Sequence, residues 1–254
     1  MNKLALEVKG LSAHIGGNNI LSNINFVLPQ GTWTSVVGPN GVGKSTLLKS
    51  LAHVKDFDGL INVFGKNSKF IRPRALAQRL SWLGQNELVG NDLRVIDVVM
   101  LGRLPHQAWL ASPDASDIQA VEIALRMTKV WDLRERILGQ ISGGERQRVL
   151  LSRALAVNAD ILLMDEPLIN LDPSYQADWM ELVKMLVKDG KTVLTVLHDL
   201  GVALQADQML IMKNGEIDHF GACQDLITHQ KLIQVFDNRI CIHRLNDKWI
   251  SMIS

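Results

Sequence analysis

A chain of 254 residues, 47% of them hydrophobic, is long enough to bury a sizeable core, and its net charge of +1 leaves no global field to recruit nucleic acid or an acidic membrane. Two cysteines, Cys223 and Cys241, argue against a disulfide-stapled scaffold and suit a reducing compartment. The opening MNKLALEVKG lacks the apolar core of a secretory signal, and no stretch approaches the ~18 apolar residues of a spanning helix. Work at a membrane would therefore require docking onto a separate membrane subunit.

No internal repeat, low-complexity tract or long linker interrupts the chain. Residues 4–28 alternate and break at Gly16-Gly17-Asn18-Asn19, which predicts antiparallel strands joined by a turn. Residues 32–37 (TWTSVV) read as a strand entering a glycine-rich turn, with a helix over 44–52. Residues 92–158 carry helical patterning (Val95, Val98, Val99 and Leu101, then 118–131), so they read as a mainly helical insertion with Trp109 and Trp131 in its core. A helix over 145–157 closes it, with Ser142 as a natural N-cap. Residues 161–164 (ILLM) and 192–197 (TVLTVL) suit strands buried on both faces of a parallel sheet. An amphipathic helix over 178–188 joins them into a βαβ unit. The tail, 231–250, is expected to fold back as a helix and strands.

Three of these strands end in residues with chemistry, and ligands of open α/β sheets sit at strand carboxyl ends. The first ends at Gly38-Pro39-Asn40-Gly41-Val42-Gly43-Lys44-Ser45-Thr46, which fits G-x-x-x-x-G-K-[ST]. Its glycines let successive N–H groups face phosphates, and the following helix presents its positive end to the same anion. Lys44 is expected to reach the β- and γ-phosphates of ATP, and the Ser45 hydroxyl to ligate Mg²⁺. The second ends at Asp165, a candidate Mg²⁺ acid, and Glu166, a candidate general base for the attacking water. The third ends at His198, placed to sense the γ-phosphate. Ser142-Gly143-Gly144 opens a helix with N–H groups exposed to an anion. It lies in the inserted region, so a second copy related by a two-fold axis is better placed to use it. His219, His229 and His243 match no metal-ligand spacing and read as ordinary histidines.

ISGGERQRVLLSRAL at 141–155, followed by ILLMDEP at 161–167, resembles the ATPase subunit of ABC transporters, from Leu6 to about Leu226. The resemblance implies an α/β P-loop NTPase (RecA-like) parallel-sheet core, an N-terminal antiparallel β subdomain and an inserted helical signature subdomain. The implied division is a single domain over 1–254, with the nucleotide core at 1–90 and 159–222, the helical subdomain at 91–158 and a C-terminal extension at 223–254. It further implies a head-to-tail homodimer with two ATP molecules clamped between residues 38–46 of one copy and Ser142, Gly143 and Gly144 of the other. Gln85 in SWLGQ matches the glutamine that reaches Mg²⁺ and the attacking water. Asp172 matches a residue that communicates across the dimer, and His198 matches the switch histidine.

VIDVVMLGRLPHQAWL at 95–110 is similar to the ATPases of iron–siderophore, haem and cobalamin importers and of some molybdate or zinc relatives. That implies integral membrane permease subunits, an indirect extracytoplasmic binding protein, no nucleic-acid partner, and a peripheral place on the cytoplasmic face of the membrane. Arg103-Leu104-Pro105-His106 lies where such a permease would meet the helical subdomain. An exporter motor and a soluble, non-transport ABC ATPase are the alternatives. The family's adenine-stacking aromatic is replaced by Ile15, with His14 beside it; isoleucine offers no π-face.

Overall fold

The alternating N-terminal segment forms a long hairpin in the computed structural model, which describes residues 3–85, 90–108, 111–246 and 248–253. Strands β1 (Leu4–Ile15) and β2 (Asn18–Pro29) pair antiparallel across a turn at Gly16 and Gly17, both at positive φ. Strand β3 (Trp33–Val37) passes through the glycine loop into helix α1 (Lys44–Leu51). Strands β4 (Asp58–Val63) and β5 (Lys66–Asn67) complete a four-stranded antiparallel sheet in the order β2-β1-β4-β5. Helix α2 (Pro73–Arg79) runs directly into strand β6 (Leu80–Leu83).

The helical insertion comprises α3 (Val95–Met100), α4 (Ala115–Met127) and α5 (Gly143–Ala156). Helix α5 starts two residues earlier than the sequence reading because Ser142 caps it. The Glu145 N–H donates to Ser142 Oγ, and the Ser142 N–H donates to Glu145 Oε2 at 2.8 Å. Helix α4 ends at Met127, short of Trp131, which is half-buried and packs against the edge of the core with the Arg126 and Arg134 guanidinium groups over its ring. Trp109 lies outside the described residues.

Strand β7 (Ile161–Asp165), helix α6 (Pro173–Lys188) and strand β8 (Thr192–Val196) form the expected βαβ unit. Helix α6 begins at Pro173 because Asp172 Oδ1 accepts the N–H groups of Ser174 and Tyr175. Then come α7 (Leu200–Ala203), β9 (Gln208–Lys213), β10 (Glu216–Ala222), α8 (Leu226–Val235) and a hairpin of β11 (Ile240–Leu245) and β12 (Lys248–Ile253).

The central sheet has the order β10-β9-β3-β8-β7-β6, parallel from β9 to β6, with β10 antiparallel at one edge. Every residue of β3, β7 and β8 is buried, and their side chains alternate between two cores. Val36, Ile161, Leu163 and Leu194 pack toward α1 and the antiparallel sheet. Trp33, Leu162, Met164 and Val193 pack toward α5, α6 and the tail. Both cysteines are free. Burial pushes the Cys223 thiol up to about 12. Among the described residues no helix is long and apolar enough to cross a membrane.

Candidate nucleotide site

Because β3, β8, β7 and β6 are neighbours and parallel, their carboxyl ends share one edge of the sheet. That edge brings together the glycine loop, His198, Asp165-Glu166 and Gln85 from positions up to 160 residues apart.

The glycine loop needs its glycines for space as well as for φ. Gly38 has φ 150°, and a Cβ there would lie 2.3 Å from the Met212 carbonyl oxygen of β9. Gly43 has φ 98°, and its Cβ would lie 2.7 Å from Leu21 Cδ2. No side chain caps the first turn of α1, so its N–H groups remain available to an anion. Lys44 Nζ donates to the Gly38 and Pro39 carbonyls at 2.7 and 2.9 Å, which holds the ammonium over the loop. Burial pulls the Lys44 pKa down, against the opposing pull of Glu166 and Asp165.

Asp165 is fully buried. Ser45 Oγ donates to its Oδ1 at 3.1 Å, while Oδ2 is buried without a hydrogen-bond partner among the described residues. Burial pushes its carboxyl pKa above the ordinary range and Glu166 adds to this; the Ser45 hydrogen bond opposes it. A hydroxyl and a carboxylate with an uncommitted oxygen make a hard-oxygen donor pair, which suits Mg²⁺. Glu166 follows in a left-handed conformation, φ 52°, with its N–H donating to the Val196 carbonyl of β8 at 3.2 Å. Its carboxylate is held from two sides. Gln85 Nε2 donates to Oε2 at 2.7 Å, and His198 Nε2 lies 2.5 Å from Oε1.

Gly43, Lys44, Ser45, Gln85, Glu166 and His198 line a cleft of about 490 Å³ with Asn40, Gly41, Thr46, Ile15 and Ile20, and Asp165 is buried behind Ser45. Ile15 is half-exposed at the end of β1, in the cleft; His14 does not line it. Ser142, Gly143 and Gly144 do not line it either. Ser142 and Gly143 are exposed, and a Cβ on Gly144 would lie 3.0 Å from the Asn170 carbonyl oxygen. Gln147, which the sequence reading passed over, donates to the Pro167 carbonyl at 3.3 Å and ties α5 to the segment after Glu166. Its only sequence signal is its place among the signature letters.

Other residues singled out from the sequence turn inward. Arg103 is buried against Asp117 and the Ala156 carbonyl, and His106 Nε2 lies 2.8 Å from the Val157 carbonyl; Leu104 alone of these three is exposed. His219 bonds Thr228, and His229 is buried, bonding the Cys223 carbonyl beneath Trp249.

Residues 21–169 match the ABC transporter family, with the glycine loop, the signature segment and the Asp165-Glu166 pair inside the match. The chain belongs to the ABC transporter family. Its fold is that of a P-loop NTPase, and as an ABC ATP-binding subunit it is an ATPase that powers transport. The petrobactin import ATP-binding protein FpuC of Bacillus anthracis is 34% identical over 231 residues, 90% of this chain and 85% of its own. The iron(3+)-hydroxamate import ATP-binding protein FhuC of Bacillus subtilis is 33% identical, covering 93% of this ABC subunit and 88% of its own length. Among solved structures, an inward-facing ABC transporter designated as metal-chelate type superposes with a TM-score of 0.82 at 26% identity, covering 100% of this chain and 97% of its own.

Proposed function

We propose that this chain is the ATP-binding and hydrolysing subunit of a membrane importer for a metal chelate: iron–siderophore first, then haem or cobalamin. The observation that carries the catalytic part is the Glu166 carboxylate, held between Gln85 and His198 beside the Ser45–Asp165 pair. The chelate rests on the relatives' names, petrobactin and iron(3+)-hydroxamate import.

In this reading the N–H groups of Gly38, Asn40, Gly41, Gly43, Lys44, Ser45 and Thr46, with the Lys44 ammonium, bind the phosphates of ATP, while Pro39, which has no N–H to donate, shapes the loop around them. Ser45, Asp165 and Gln85 would hold Mg²⁺, which neutralises phosphate charge when bound. Glu166 takes the proton of the attacking water, while Gln85 and His198 keep its carboxylate aimed. Ile15 and Ile20 give the base an apolar wall in place of an aromatic stack. Ser142, Gly143 and Gly144 complete the site of a second copy. The division into a nucleotide core (1–90 and 159–222), a helical subdomain (91–158) and a C-terminal extension (223–254) belongs to the same proposal. So do permease subunits at the membrane, which would hold the chain on the cytoplasmic face.

Glu166→Gln tests the chemistry: ATP should still bind, while turnover falls about 100-fold or more. Near-normal turnover would reject Glu166 as the base. Deleting the chain should abolish chelate uptake; loss of efflux instead would make it an exporter motor.

A further inference from the structure

The chain's 27 Lys/Arg and 26 Asp/Glu nearly balance, yet the cations are not evenly spread. Residues 52–80 hold Lys55, Lys66, Lys69, Arg72, Arg74 and Arg79 against only Asp56 and Asp58. Elsewhere Lys9, Arg94, Arg103, Arg126 and Lys129 sit within 4 Å of carboxylates. None of the six does so among the described residues. Arg74 is tied to the Pro105 and His106 carbonyls, and Arg79 lies over the Phe64 ring. Lys66, Lys69 and Arg72 are exposed.

These three flank Phe70 in sequence, the Lys69 ammonium lying 5.1 Å from the centre of the Phe57 ring, and Phe70 is 88% exposed at the end of a short 3-10 turn, Ser68–Phe70, whose start is capped by the Asn67 side chain. Val54, 63% exposed, lies next to His53, and His53 and Lys69 share one cavity wall. That cavity is lined by Lys69 and Ile71, while the Phe70 ring stands in solvent. A structured protein partner would need a matching hole to receive the ring. A lipid headgroup layer accepts it without one, while lysine and arginine meet the phosphates.

We propose that Lys66, Lys69, Arg72 and Phe70 form a contact for anionic phospholipid headgroups, beside the transport partner. The proposal rests on the importer reading, since it needs the chain to sit at a membrane.

Co-sedimentation of the purified full chain with vesicles tests it, without nucleotide. The chain should bind phosphatidylcholine vesicles doped with phosphatidylglycerol, not phosphatidylcholine alone, and added salt should weaken binding. Lys69→Glu/Arg72→Glu should lower affinity about 30-fold or more, and Phe70→Ser should lower it less. Both variants should keep the parent's circular dichroism and ATPase rate. Indifference to lipid charge, or to the double reversal, would overturn the proposal. So would absent vesicle binding combined with a double variant that no longer co-purifies with its membrane partner in detergent, because the face would then be a protein interface. ATP turnover reports separately: vesicle binding without Glu166-dependent hydrolysis would sink the catalytic reading alone.

Discussion

Asp165 illustrates how a single residue trades stability for function. A carboxylate with no exposed surface and one oxygen lacking a partner raises the free energy of the fold unless something satisfies it. Ser45 satisfies only the other oxygen. Asp165→Asn removes the charge at nearly constant shape. In the absence of Mg²⁺ and ATP it should stabilise the protein by about 1 kcal/mol or more, a rise in melting temperature of roughly 2–4 °C for a chain of this size. Adding Mg²⁺ and ATP should raise the melting temperature of the parent by more than that of the variant. Differential scanning fluorimetry reads both effects. A lower melting temperature for the variant without ligand would mean that Asp165 carries no such burden.

Among the elements, the joint between α4, α5 and the 101–107 turn depends on one ion pair. Arg103 Nε donates to Asp117 Oδ1 at 2.9 Å and Nη1 donates to the Ala156 carbonyl at 2.7 Å; both residues are buried. Asp117 also closes the capping box of α4, taking the Asp114 N–H on its Oδ2. Arg103→Ala would strand Asp117 as a buried charge, so it should cost about 3–5 kcal/mol. Urea unfolding should show Arg103→Met/Asp117→Asn recovering much of that loss. Equal destabilisation of the single and double variants would show that the pair is not the source. The same comparison of elements explains what could be read from the chain. Strands β7 and β8 were legible because burial on both faces leaves unbroken apolar runs. Strand β9 (QMLIMK) was not, because a short Met/Leu run fits a helix equally well. Strand β6 is four residues long and follows α2 without a break, so Gln85 after it was reachable only through family resemblance. The glycine loop needed no such help, since its letters are contiguous. Arg103 was misleading in the opposite way: a charged residue in a Pro-containing turn reads as surface, and only its packing shows that it faces inward.

At the scale of the whole molecule, the signature segment is separated from the chain's own cleft, and that separation sets a test of assembly. Ser142 and Gly143 are exposed, α5 leans on residues 167–170, and neither Ser142, Gly143 nor Gly144 lines the chain's own cleft. If these residues serve a second copy, damage to them should spare nucleotide binding by a monomer and abolish the ATP-dependent dimer. Glu166→Gln supplies the background, since it should hold ATP long enough for dimers to accumulate. In that background with ATP, size exclusion with light scattering should report the mass of two chains. Adding Ser142→Arg should return the mass to one chain, because a long cation would occupy the space meant for the partner's phosphates. Fluorescent ATP binding, measured at a dilution where the parent is monomeric, should stay within a few-fold. If Ser142→Arg weakens monomer binding as strongly as it weakens dimerisation, the signature belongs to its own chain's site, and the head-to-tail arrangement is wrong.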